Sequence, residues 1–432
     1  MAKRHPAQNA LAPLLLPLSR LYGAGMEFWR RAYAAGRLQT YHSPIPCISV
    51  GNISWGGTGK TPVIQYLLDW AATSKLRAGV LIRGYKAHPQ KPPLLVTPYT
   101  PVKECGDEAL MLAAQFPEAV IIVDPKRVRG ARLAESLCPR PDLLLIDDGF
   151  QHLALARNIN LVLLDNDDLG RESLDNPGTQ GNWNRVIPAG SWREPATALK
   201  AADAFLIKSP SSRQPQISEL MSDQIAKKLT EFGKPIFPFH MKIRGLRRLG
   251  ATSDRANSQN EFQNIEGDYA LLCAVGNPRQ VEESVVAFLG RPPIWRIFLP
   301  DHHPLNGELT AQDGQKIPQN IPVICTAKDA AKLHSQAKQN FFANFFVLDA
   351  QPEFFPAINA QSIAEPSLAR QSNTGQNSRK QDSPGQDFKG QDFMGQDLGQ
   401  DVTGQTFTAW LQNALSPLLA TQLAQSAHAS NL

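Results

Sequence analysis

Residues 56–61 read Gly-Gly-Thr-Gly-Lys-Thr and sit between a short apolar run and a helical pattern. A glycine-rich turn in that position lets successive backbone N–H groups converge on an anion, and the following helix adds the positive end of its dipole. In such a loop Gly56, Gly57, Thr58 and Gly59 cradle phosphate, Lys60 neutralises the β- and γ-phosphates of ATP, and the Thr61 hydroxyl ligates Mg²⁺. The strict spacing G-x-x-x-x-G-K-[ST] is broken at its first glycine, where this chain carries Ser54. A phosphate loop also needs a carboxylate at the end of a neighbouring strand to hold the metal's water shell. The run Leu143-Leu144-Leu145-Ile146-Asp147-Asp148 supplies two. Packing seldom explains acids that close a buried strand, because an unpaired carboxylate there is costly.

Two further groups carry chemistry. Gly106-Asp107-Glu108 opens a helix, where an acid is also simply a favourable first-turn residue. Asp301-His302-His303 closes a strand late in the chain and is compatible with a metal site, a general base or a polar loop.

The elements that position these residues follow from periodicity. Short apolar runs predict strands at Ile45–Val50, Gly79–Ile82, Ala119–Val123, Leu143–Ile146, Ile159–Leu164 and Ala204–Ile207. Helical patterns separate several of them, from near Thr61, over Asp107–Gln115 and over Lys126–Leu137. Fully apolar strands alternating with helices mean a parallel sheet covered on both faces, an α/β class of P-loop NTPase type. After a polar stretch at Ala251–Gly267 the alternation resumes, with strands at Tyr269–Val275, Ile294–Phe298 and Pro322–Cys325 and helices over Arg279–Leu289 and from Asp329. The organisation expected is an arm over 1–40, a P-loop domain over 41–240 and a second, smaller α/β domain over 241–360. A QDxxG repeat linker over 361–405, whose five-residue unit cannot bury a core, then leads to a docking helix within 406–432.

In the arm, Leu14, Leu15, Leu18, Leu21, Tyr22, Met26, Phe28, Trp29 and Tyr33 gather on one side of a helix. Arg20, Glu27, Arg30, Arg31 and Arg37 form the polar side. That make-up suits a helix in a membrane interface, arginines at the headgroups, and equally one docked on the protein body. Pro13 and Pro17 interrupt the apolar stretch.

The pieces together resemble one family, the tetraacyldisaccharide 4'-kinases of lipid A biosynthesis. The matching segments are SVGNISWGGTGKTP (49–62), IRGYK (82–86), GDEALMLA (106–113), DDGFQH (147–152), PAG and REP at 188–195, FLPDHH (298–303) and TAKDAAKL (326–333). The resemblance implies a membrane-surface kinase that uses ATP and Mg²⁺. Its acceptor is the 4'-hydroxyl of an acylated glucosamine disaccharide 1-phosphate, and it works peripherally at the cytoplasmic face of the inner membrane. It implies Asp107 and His302 as the catalytic base, Asp147 or Asp148 at the metal, and Arg83, Gln151, His152 and Glu194 in motifs lining the active site. Departures are Lys86, where a glycine is common, Ala109, where proline often follows GDE, and a long stretch over Asn166–Gln180.

Composition narrows the alternatives. The net charge is +5 over 432 residues, with no run of five basic residues, so no nucleic-acid partner is expected. Five dispersed cysteines without C-x-x-C exclude a disulfide framework and a zinc finger, and fit a reducing compartment. A partitioning-type switch ATPase, which cycles on membranes, is the rival reading, but its loop begins with a lysine where this chain has Trp55. A phosphoesterase built on Asp301-His302-His303 would need further acidic metal motifs, and none accompanies it.

Overall fold

The computed structural model describes residues 6–55, 59–85, 87–165, 168–169, 183–209, 212–249, 262–276, 278–300, 303, 305, 321–336, 344–358 and 404–430. Of these, 6–13, 334–336 and 422–430 are described by backbone alone. The repeat, most of Asn166–Gln180 and Lys86 lie outside the described residues.

The strands of the larger half are β1 (Cys47–Asn52), β2 (Ala78–Ile82), β3 (Leu94–Val96), β4 (Val120–Val123), β5 (Leu143–Asp147), β6 (Ile159–Leu164) and β7 (Ala204–Lys208). β8 (Ile236–Arg248), β9 (Ala270–Cys273), β10 (Trp295–Phe298), β11 (Val323–Thr326) and β12 (Phe345–Phe354) complete a single sheet. Its order is β10-β9-β11-β12-β8-β7-β6-β1-β5-β2-β4-β3. β1, β2, β4, β5, β6 and β7 pair in parallel and are buried almost throughout, as expected for strands covered on both faces.

The two α/β regions expected from the sequence share this sheet, and β8 joins them. Its first five residues are buried, and beyond them exposure alternates, the change of texture visible from Phe237 onward. β12 pairs antiparallel with β8, from Phe346 opposite Arg248 to Phe354 opposite Phe239, with an irregularity at Asp349/Ala350. β3 pairs antiparallel with β4 at the opposite edge. The sheet is therefore mixed, not wholly parallel.

The helices are α1 (Pro6–Ala34), α2 (Lys60–Thr73), α3 (Val102–Cys105), α4 (Asp107–Gln115), α5 (Arg127–Ser136), α6 (Ile217–Leu220), α7 (Asp223–Thr230), α8 (Pro278–Leu289), α9 (Ala327–Gln336) and α10 (Phe407–Ser430). α1 runs through both Pro13 and Pro17, the prolines that interrupt its apolar stretch. Its outward side carries Leu14, Leu18, Leu21, Phe28 (67% exposed) and Trp29. Its inward side is small and polar: the buried Ser19 Oγ accepts a hydrogen bond from Ala189 N at 2.8 Å, and Gly23 faces Val186. Among the described residues no helix is long and apolar enough to cross a membrane.

Candidate functional site

Strand register assembles the site. Val50 of β1 lies opposite Asp147 of β5, and Leu81 of β2 lies opposite Ile146. Parallel neighbours end at one sheet edge, so the loop after β1, the acids after β5 and Arg83 after β2 converge at the carboxyl ends of the strands. Gly51 permits the close approach: a Cβ there would lie 2.6 Å from Phe150 Cβ, inside the turn that follows Asp148. Gly59, which precedes the first turn of α2, adopts φ 91°, a left-handed conformation that a Cβ disfavours. Gly56, Gly57 and Thr58 lie outside the described residues.

Lys60 opens α2. Its Nζ donates to Asn52 Oδ1 at 3.0 Å and lies 3.4 Å from Asp148 Oδ1. Thr61 occupies the same first helical turn. Asp148 adopts φ 51°, in the left-handed region that few residues other than glycine enter, and such strain often marks a functional turn. Its other oxygen accepts from Arg193 at 2.8 Å. Burial alone would raise the Asp148 carboxyl, but Lys60 and Arg193 outweigh it and hold it below the usual carboxylate range.

Asp147 has the opposite fate. It keeps a partly accessible edge, yet its carboxyl lies deep among protein atoms with Glu108 nearby. Burial first and the Glu108 charge second push it up to about 7, against the pull of Lys60. Its Oδ1 is buried and has no hydrogen-bond donor among the described residues. A hard divalent cation takes one or two carboxylates plus phosphate and water oxygens. An unsatisfied carboxylate oxygen beside Asp148 and the Thr61 turn fits such an ion.

Gln151 locks the corner, with Nε2 donating to Asn52 O at 2.9 Å and Oε1 accepting from Arg193 at 3.2 Å. His152 is half-buried among Arg127, Arg157 and Arg83, and burial foremost, then those charges, lower it to about 4. Arg83 is itself exposed. Glu194, 1% exposed, pairs with Arg30 of α1, whose Nη2 also donates to Phe150 O at 3.2 Å. The Arg30 guanidinium lies 4.7 Å from the Phe150 ring centre. Arg30 alone follows the docked alternative, pointing inward because a buried carboxylate needs its partner, whereas Arg20, Arg31 and Arg37 stay exposed and Arg31 pairs with Glu27.

Asp107 begins α4, and its Oδ2 lies 3.1 Å from Lys332 Nζ of α9. Lys332 is 3% exposed and also donates to His303 O at 3.2 Å. The structure thus brings Asp107 to the Asp301-His302-His303 segment through a lysine, while Asp301 and His302 lie outside the described residues.

Sequence reasoning gave no site role to Asn52, Arg30, Arg157 or Lys332, although Asn52 and Lys332 lie within the segments SVGNISWGGTGKTP and TAKDAAKL. Ser54, the broken position of the loop pattern, is an anchor: its Oγ donates at 2.8 Å to the buried Asp168, which also accepts from Trp192 Nε1 at 2.6 Å. Burial, then the neighbouring Asp165, pushes Asp168 well above the usual carboxylate value, so this trio behaves as a structural strap.

A run of parallel strands with a lysine-bearing glycine turn, an acidic strand end and a converging arginine defines a P-loop phosphotransferase-type protein. The model of the family described as tetraacyldisaccharide-1-P 4'-kinase matches residues 11–365. The tetraacyldisaccharide 4'-kinase of Nitratidesulfovibrio vulgaris is 41% identical over 354 residues, 81% of this chain and 91% of that one. That of Oleidesulfovibrio alaskensis is 43% identical over 329 residues, 76% and 85%. The crystal structure of LpxK from Aquifex aeolicus in complex with ATP is 28% identical with a TM-score of 0.60, covering 80% of this chain and 95% of that one. The chain belongs to the tetraacyldisaccharide-1-P 4'-kinase family.

Proposed function

We propose that this chain transfers the γ-phosphate of ATP to the 4'-hydroxyl of a tetraacyl glucosamine disaccharide 1-phosphate, a step of lipid A biosynthesis. The observation that carries this reading is the placement of Lys60 at the loop–helix junction, held between Asn52 and Asp148 within a chain of this family. Lys60, the loop amides of residues 56–59 and the α2 dipole stabilise charge on the transferring phosphoryl group. Thr61 and Asp147 or Asp148 would hold Mg²⁺, which when bound would supply positive charge against the phosphates. Arg193 and Gln151 keep the Asp148 turn in place. Asp107 and His302 act as the unit that takes the proton from the attacking hydroxyl. Arg83 and His152 line the same edge, and Glu194 orients α1 against it.

The outward apolar side of α1 supports a peripheral site of action on a bilayer, which the family resemblance would make the cytoplasmic face of the inner membrane. The test is γ-labelled ATP supplied with and without the disaccharide lipid. Label in the lipid is the expected outcome. Free phosphate regardless of lipid would instead favour the switch-ATPase reading.

A further inference from the structure

α10 begins at Phe407, beyond residue 365 where the family match ends, yet it is part of the nucleotide half. Phe407, Trp410, Leu411 and Leu415 recur at helical spacing and are almost completely buried, Trp410 at 2%. They share one core with Val63, Ile64 and Leu67 of α2. The Phe407 ring stacks on Phe354 of β12 at 4.2 Å between centres and meets Phe237 of β8 at 5.2 Å. Tyr66 of α2 packs on both Phe354 and Phe407, and its Oη shares a 2.8 Å hydrogen bond with Thr408 Oγ1. Phe354 in turn packs on Phe239 at 5.3 Å. The end of that ring lies 3.9 Å from where a Cβ would stand on Gly59, the left-handed last glycine of the phosphate loop.

These contacts run from the terminal helix to the flank of the helix that Lys60 opens, and end with Phe239 standing beside Gly59. Backbone hydrogen bonds between Ala357 and the start of the segment (Ala357 N to Gln405 O 2.9 Å, Gly404 N to Ala357 O 3.2 Å) fix its entry. Aromatic side chains pack densely and transmit displacement, so a gap at Phe407 is felt at its neighbours. We propose that α10 is a brace for the phosphate loop: Phe407 and Trp410 are positioning residues that hold α2 and the Gly59 turn in the conformation that receives ATP. This rests on the kinase reading above.

The experiment uses the full chain carrying Phe407→Ala with Trp410→Ala, the milder Phe407→Leu, and a control, Val285→Ala, which opens the buried core of α8 in the other half. Each is assayed well below its melting temperature for KM of ATP, KM of the lipid and kcat. The brace predicts that KM for ATP rises about tenfold or more in the double variant, in proportion in Phe407→Leu, and not in Val285→Ala, with KM for the lipid unchanged. Lowered melting temperature with unaltered ATP KM would overturn it and leave α10 as core filling. An equal rise in Val285→Ala would overturn it too, since any loosening would then suffice. Should the double variant fail to fold, Phe407→Leu against Val285→Ala decides by the same criterion. Failure of the kinase reading would show in the unaltered chain, as absence of labelled lipid, whereas failure of the brace shows only in the variants.

Discussion

The two halves of the sheet furnish the site differently. On the larger half, Lys60, Asp148, Gln151 and Arg193 gather beyond the ends of β1 and β5 and largely satisfy one another, while Asp147 Oδ1 has no donor among the described residues. Among the described residues the smaller half meets Asp107 through the buried Lys332 of α9, which also donates to the carbonyl of His303. Charge gathered along one edge is a property of strand register and withstands most local change. Charge gathered between halves depends on α4 and α9 staying packed, so it should yield more readily to substitution.

The sharpest way to break this contrast is to remove the centre of the edge-built site. Lys60→Ala should lower kcat/KM by about 10³, because it deletes the cation the loop offers the transferring phosphate. Steady-state kinetics showing more than about a tenth of normal turnover would remove Lys60 from that role.

The cross-half assembly is tested next. Asp107→Ala and His302→Ala should each lower the rate by roughly 10²–10⁴, and the double variant should be little worse than the worse single one. Lys332→Met should cost about 10² through misplacement of Asp107, and little more once Asp107 is already alanine. Additive losses across that cycle would show that Lys332 acts elsewhere.

A third comparison sets α1 against the body. Arg30→Met strands the buried Glu194 carboxylate and should destabilise by about 3 kcal/mol, and Glu194→Gln in the same chain should restore much of it. Denaturant midpoints measure both, and a loss unrelieved by Glu194→Gln would mean that the Phe150 contacts matter more. Removing residues 1–35 should release the protein from lipid vesicles, and unchanged sedimentation would make α1 a docked structural helix.

The smallest effect is a proton-linked one on the edge-built site. His152 binds its proton at about 4 in the folded chain, against 6.5 for an unperturbed histidine. Between those values the unfolded chain holds more protons, so stability falls as the pH drops from about 6.5 towards 4. Given the partial exposure of His152, the loss at pH 5 relative to pH 7 should be on the order of 1 kcal/mol. Urea midpoints of His152→Gln at the two pH values should differ correspondingly less, and an identical dependence would assign the effect to other groups.

Much of this was legible in the chain itself. The strands at Leu143–Asp147 and Ile159–Leu164 and the helix at Asp107–Gln115 announce themselves because burial on both faces demands unbroken apolar runs, and helices demand a 3.6-residue period. β12 escaped notice because FFVLDAQPEF carries polar residues and a proline, tolerable only on a ribbon that is half exposed.

The sequence by itself determined the chemistry that is local: a glycine turn before a helix, a lysine and a threonine in the first turn, and two acids ending a buried strand. These depend on backbone geometry within a few residues, so spacing is enough to reveal them. Only the tertiary structure decided the pairings: Arg30 with Glu194, Lys332 with Asp107, Ser54 with Asp168, and Phe407 with Phe354. Buried charges and aromatic rings take whichever partner the packed fold delivers, and that choice is written across residues tens to hundreds of positions apart, with no period or motif to betray it.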